Sequence, residues 1–221
     1  MLVVRQATVG PFAETTWLVA DSDTGDAVVI DPGGETTRVL GLAQPDLRIG
    51  RILATHGHAD HIVGAEELSR RTSAPFQIHA ADEPFVRALP RQAAGLGLGE
   101  TRVPAISGYL ADGDVIRVGR HEARVIPTPG HTPGGVCLFF PEERLLFTGD
   151  TLFAGSVGRT DLPGGDGPTL VRSIREALFP LGDDVKFLPG HGPGGTLGEE
   201  RRSNPYAGDG AARPTPSTRR P

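Results

Sequence analysis

Thr55-His56-Gly57-His58-Ala59-Asp60-His61 puts three imidazoles and a carboxylate into the six consecutive positions 56 to 61. In a helix His56 and His58 would point to nearly opposite sides, whereas in extended backbone residues two apart share a face and can pinch one ion. The stretch therefore reads as a non-helical metal-binding loop. Before it, Arg51-Ile52-Leu53-Ala54 is a short apolar run with the look of a buried strand, and Gly57 permits an unusual backbone angle just after that run. After it, Ile62, Val63, Ala65 and Leu68 have helical spacing, so a helix is expected over 61–72. Asp60 and His61 fall at the start of that helix and point elsewhere than the His56/His58 pair, which suggests a second ion beside the first. Histidines gathered by chance, or Asp60 serving as a helix cap, would account for one such residue. They do not account for four ligand-type side chains at this spacing.

A chain of 221 residues can bury a full core. One domain is expected over residues 1–206, followed by a disordered tail over 207–221 that is rich in Pro and Arg and lacks apolar periodicity. No apolar run approaches the roughly 20 residues that span a bilayer, and Met1-Leu2-Val3-Val4-Arg5-Gln6 does not begin a secretory signal. Cys137 is the sole cysteine and sits in the apolar run Val136-Cys137-Leu138-Phe139-Phe140, which fits a buried strand and a reducing cytoplasm. The formal net charge is -5 and the basic residues are scattered, so the electrostatic footprint of a nucleic-acid binder is missing. The expected partner is a small molecule, not a nucleic acid or a membrane.

Strands are expected at 2–9, 15–20 and 27–30, the last ending in Asp31-Pro32-Gly33-Gly34, with a helix from Glu35 to about Ala43. Phe76-Gln77-Ile78-His79 reads as a strand and 82–89 as a short helix. Residues 91–108 are Gly-rich and without a defined pattern, compatible with a flap over a site or a plain connector. Further strands are expected at 115–118, 122–126, 136–140, 145–147 and 185–188, and helices at 169–179 and after Thr196. His79 and His121 read as surface or turn residues.

Three more ligand candidates stand where strands end: His131 in Pro127-Thr128-Pro129-Gly130-His131, Asp150 in Thr148-Gly149-Asp150, and His191 in Leu188-Pro189-Gly190-His191. Functional groups of α/β sheets gather outside the carboxyl ends of strands, so these loops and the His56 loop can converge on one edge. Five histidines and two carboxylates suit two divalent ions. One would take His56, His58 and His131, the other Asp60, His61 and His191, with Asp150 and a water between them. Such a set of nitrogen and oxygen donors suits zinc, and iron or manganese are also compatible.

Thr-His-x-His-x-Asp-His, followed by Gly-His, Gly-Asp and Gly-His, resembles the metallo-β-lactamase superfamily. The resemblance runs from about Leu2 to Tyr206 and implies an α/β, four-layer αββα sandwich of two sheets flanked by helices. Thr148 to Asp166 and Leu188 to Pro205 look like the glyoxalase II group, the hydroxyacylglutathione hydrolases. The resemblance thus implies a dimetal thioesterase cleaving acyl-thiol esters such as S-lactoylglutathione by a metal-bridging hydroxide, with Asp60 holding and orienting the attacking group. Arg159 stands where the family places a basic side chain near the thiol tripeptide; it could grip a substrate carboxylate or brace its loop against Asp161. The chain departs from glyoxalase II proper in having only 30 residues after His191, where that group continues into a helical glutathione-binding domain. Asp31 could orient a metal histidine or stabilise a turn. The alternative is a mononuclear-iron persulfide dioxygenase of the same fold, whose Pro-Ala-His-Asp-Tyr at the last motif is replaced here by Pro189-Gly190-His191-Gly192-Pro193.

Overall fold

Every residue of Glu14–Asp21 is buried. Leu18 and Ala20 of this strand pack into one apolar cluster while Trp17 and Val19 pack into another. Side chains alternate faces along a strand, so burial on both faces requires a covering layer on each side. The computed structural model, which describes residues 1–211, supplies both layers.

The first sheet runs β1 (Leu2–Val9), β2 (Glu14–Asp21), β3 (Asp26–Ile30), β4 (Arg48–Leu53), β5 (Phe76–His79) and β6 (Ile106–Leu110), in spatial order. Pairing is antiparallel as far as β3 and parallel from there on. Five helices accompany it: α1 (Thr36–Leu42), α2 (Ala59–Ile62), α3 (Ala65–Thr72), α4 (Glu83–Arg87) and α5 (Leu89–Leu96). Val39, Ile62, Leu68, Val86 and Leu89 of these helices close over Leu18, Val29 and Ile52.

The second sheet contains β7 (Val115–Val118), β8 (His121–Pro127), β9 (Val136–Phe140) and β10 (Leu145–Gly149). A hairpin follows, β11 (Leu152–Phe153) with β12 (Ser156–Val157), then α6 (Gly167–Ser173). β13 (Lys186–Pro189), β14 (Gly195–Thr196) and α7 (Leu197–Ser203) complete the described elements. The order across this sheet is β14-β13-β10-β9-β8-β7. On β9, Val136, Leu138 and Phe140 meet the first sheet whereas Cys137 and Phe139 meet Leu170, Ile174 and Leu197 of the helical side. Three apolar clusters therefore separate four layers, the αββα order expected. Burial pushes the Cys137 thiol up to about 11, so it is an inert part of that packing.

Several local expectations are corrected. The helix expected over 61–72 is broken at Val63-Gly64, because Gly64 N donates to Pro32 O at 2.8 Å and a Cβ there would meet that oxygen at 2.9 Å. The β3 loop thus occupies space a continuous helix would need. The segment 91–108 is neither wholly flap nor wholly connector: it holds most of α5 and begins β6, which pairs with β5. The helix expected over 169–179 starts two residues earlier, where Asp166 accepts from Thr169 N at 2.8 Å, and widens to a π turn over 174–178. Of the expected tail, residues 212–221 lie outside the described residues. Ala207 is buried, and Arg175 donates to Ala207 O, Gly208 O and Ala211 O, so chain order continues past Tyr206.

At the end of the sandwich where β2 finishes, Asp21 is fully buried and accepts from Arg120 N and Nε at 3.0 and 2.9 Å. That guanidinium holds its carboxyl well below the usual carboxylate range. The bond fastens β2 to the β7-β8 turn, one sheet to the other. No helix among the described residues is long and apolar enough to cross a membrane.

Candidate metal centre

The carboxyl ends of β3, β4, β8, β10 and β13 all open on the opposite end of the sandwich. Backbone bonds stitch their loops together: Val136 N to Thr55 O at 2.8 Å, Gly190 N to Gly149 O at 2.9 Å and Thr15 N to Gly190 O at 2.7 Å. Such close contact is possible at Gly190 only without a side chain, since a Cβ would stand 2.7 Å from Asp150 Oδ1.

The seven residues singled out from the sequence as ligands come together there. Ligand atoms of His56, His58 and His131 lie within 4.8 Å of one another, and so do those of Asp60, His61 and His191. Asp150 stands between the triads: its Oδ2 is 3.7 Å from His131 Nε2, and its Oδ1 is 3.3 Å from His61 Nε2 and 3.8 Å from His191 Nε2.

Proton bookkeeping shows what these atoms are prepared for. A carbonyl or carboxylate oxygen only accepts, so a ring nitrogen facing one carries the proton and the other nitrogen keeps a lone pair. His131 Nδ1 donates to Arg159 O at 2.7 Å, His191 Nδ1 to Phe12 O at 3.1 Å and His61 Nδ1 to Asp31 Oδ2 at 3.0 Å. Thr55 Oγ1 gives its one proton to Asp31 Oδ2 at 2.7 Å, and so accepts from His56 Nδ1 at 3.1 Å. Each of these rings, when neutral, keeps Nε2 as a lone-pair donor turned inward. Bare nitrogens then face each other, His131 with His56 at 3.2 Å and His61 with His191 at 3.2 Å, and His58 Nδ1 is 2.9 Å from His131 Nε2. Ligand bonds of about 2.0–2.1 Å at tetrahedral angles separate donor atoms by about 3.3 Å. The buried Asp150 Oδ1 has no hydrogen-bond partner. The donor set thus fits two divalent cations, and the residues that would hold them are those of the two triads with Asp150 shared.

The electrostatics agree. Burial pushes His56 well below the ordinary imidazole range and His58 down to about 4, aided by the neighbouring histidines, and burial also lowers His131. These three are neutral donors. At His61 burial acts the same way but is outweighed by Asp150 and Asp31, and at His191 by Asp60 and Asp150, so both are raised. Asp60 and Asp150 are lowered despite burial, Asp60 by its bond to His191 and Asp150 by His61. One side of the centre therefore offers lone pairs, and the other demands positive charge.

Asp31 settles its open alternative: it accepts from Thr55 N at 2.7 Å, from Thr55 Oγ1 and from His61 Nδ1, orienting two imidazoles at once. Asp31→Asn presents an amide N–H to at least one of these donors. It should weaken metal retention about 10–100-fold, read as the chelator concentration that strips the protein.

Two further residues were missed from the sequence. Glu14 is buried with Oε1 unpartnered, 3.9 Å from His61 Nδ1, and burial raises its pKa well above the carboxylate range. Asp82, expected only as a helix start, accepts from Gly57 N at 2.8 Å, Thr132 Oγ1 at 2.7 Å and Gly134 N at 2.7 Å. It clamps the His56 loop to the His131 loop. Nothing in local spacing ties position 14 or 82 to the histidines, so only the tertiary structure reveals them.

The centre forms the floor of a cavity of about 610 Å³, walled by Phe12, Phe85, Leu96 and Leu162 and by Arg91 and Arg159. Arg159 turns its guanidinium to Asp161, with Nε and NH2 bonds of 2.7 and 2.8 Å, while its carbonyl orients His131. Of its two expected roles the structure shows the loop brace against Asp161, on a residue that also lines the cavity.

A family model described as the metallo-beta-lactamase superfamily matches residues 9–196. A protein of Haemophilus influenzae named hydroxyacylglutathione hydrolase GloC is 37% identical over 203 residues, spanning 88% of this chain and 93% of that protein. Among solved structures, BLEG-1, described as a B3 metallo-beta-lactamase, has a TM-score of 0.85 at 32% identity, over 93% of this chain and 99% of that one. TTHA1623 in a di-iron-bound form has a TM-score of 0.83 at 37% identity, over 91% of this chain and 99% of that one. With the sandwich, the converging loops and a match over most of its length, this chain belongs to the metallo-β-lactamase superfamily.

Proposed function

We propose that the protein is a dimetal hydrolase of acyl thioesters of the S-lactoylglutathione type, with zinc as the metal and the cytoplasm as its compartment. The observation that carries the metal chemistry is Asp150, which offers one oxygen to each of two ligand triads on the floor of an open cavity. The thioester reading is supported by the likeness to a named hydroxyacylglutathione hydrolase over most of both chains. A single, buried cysteine, which can form no disulfide within the chain, fits a reducing compartment.

Two divalent ions, when bound, supply water activation at neutral pH and polarisation of the thioester carbonyl. Asp60 is one-fifth exposed, lines the cavity and is held ionised, so it accepts a hydrogen bond from the attacking water and orients it. The leaving thiol has an ordinary pKa of about 8.5 and departs as thiolate without a dedicated acid. This suits the cavity, where the lining imidazoles, His58 and His131, both belong to a ligand triad. The apolar wall of Phe12, Phe85 and Leu162 offers packing surface to the apolar part of a substrate.

The test is metal content per chain after reconstitution with zinc, iron or manganese, alongside turnover of a thioester panel, a β-lactam and a persulfide under oxygen monitoring. Two ions per chain with thioester hydrolysis is the expected result. One iron with oxygen consumption on the persulfide, or β-lactam turnover exceeding that of every thioester, would overturn it.

A further inference from the structure

The cavity wall carries two arginines in different electrical states. Arg159 is neutralised by its two-pronged pair with Asp161. Arg91, on α5, has no acidic side chain within ion-pair reach among the described residues and no hydrogen-bond partner there. The acids lining the same cavity are Asp60 and Asp150, both committed to the ligand triads. A substrate entering the cavity therefore meets one uncompensated cation, in a chain whose net charge is -5.

The backbone that carries that exposed side chain is fixed. Next to it, Gln92 Nε2 donates to Phe85 O at 2.8 Å and to Gly57 O at 3.2 Å, fastening α5 to α4 and to the ligand loop itself. Leu89 and Ala93 are fully buried beneath the helix. An unpaired guanidinium lining the same cavity as Phe85, Leu96 and Leu162 matches a ligand with an apolar body and a carboxylate at its far end.

We propose that Arg91 is the anion-recognition residue of this cavity, selecting acyl thioesters that carry a carboxylate at a remove from the scissile carbonyl. The proposal rests on the thioesterase reading for the identity of the bond cleaved, and not for the anion site. A hydrogen-bonded carboxylate on arginine gives tenfold or more in affinity, by about 1.5–3 kcal/mol for bonds to charged groups.

The experiment uses the zinc-loaded full chain and two non-hydrolysable probes, S-hexylglutathione and its dimethyl ester, in which both carboxylates are masked. Calorimetry should show the free acid binding about tenfold or more tightly than the ester, with added salt narrowing the gap. Arg91→Gln should erase the gap, Arg91→Lys should keep part of it, and Arg124→Gln, an equal charge change on β8, should leave it intact. In turnover of S-lactoylglutathione, Arg91→Gln should raise KM and spare kcat. A wild-type protein that binds both probes equally, or an Arg91→Gln variant that weakens both alike, overturns the proposal. Discrimination between the probes without hydrolysis of any thioester would sink the thioesterase reading and leave the anion site standing; hydrolysis without discrimination would do the reverse.

Discussion

Asp60→Asn should lower kcat and kcat/KM together by about 10²–10⁴-fold. The amide fills the volume of the carboxylate, so the fold is retained, but it cannot take a proton and is a weaker, uncharged ligand. Asp60 is one-fifth exposed and its contact with His191 Nε2 is 3.4 Å, so little of the core depends on it. A loss confined to substrate binding would instead raise KM alone. The measurement is steady-state kinetics on the best thioester, with metal content and melting temperature determined on the same sample. Near-normal kcat with both metals in place would remove Asp60 from the chemistry. A rate that falls only in proportion to lost metal would make it a ligand and nothing more.

Asp82→Ala should produce the largest loss of stability of any single substitution around the centre. It leaves Gly57 N, Gly134 N and Thr132 Oγ1 without their acceptor in a buried site. Orphaned buried donors cost about 1–3 kcal/mol each, less than additively when the loops relax. A total of about 3 kcal/mol lowers Tm by about 6–12 °C for a chain of this size. Asp82→Asn keeps one acceptor oxygen and should lose less than half as much. Calorimetric melting of the two variants, with metal removed from all samples, separates the clamp from any effect on metal retention. Equal and small shifts would show that the two loops hold their positions without it.

Much of the centre was legible because its chemistry is written in adjacent residues. His56, His58, Asp60 and His61 are ligand types at a spacing that only a strand-loop-helix transition can use, and the distant ligands each follow an apolar strand. The layers were legible for a similar reason: strands such as β9 are apolar on both faces, which only a doubly covered sheet permits. What escaped depends on partners remote in sequence. α5 contains Gly95 and ends at Gly97, which mask its periodicity, and it is secured by Gln92 on the carbonyls of Gly57 and Phe85. β6 exists because β5 offers it a parallel ladder, not because Ile106-Ser107-Gly108 looks like a strand. The break before α3 is dictated by Pro32 O, 32 positions away from the amide it accepts. Glu14 and Asp82 are polar residues that acquire meaning only from the loops folded over them.

Each triad takes two donors from the loop after β4 and its third from the second sheet: His131 for one, His191 for the other. A chain that has completed only the first sheet holds two donors of each triad. The third donor of the first triad arrives after β8, the shared Asp150 after β10, and the third donor of the second triad after β13. Neither triad is therefore complete before the second half of the chain has docked against the first.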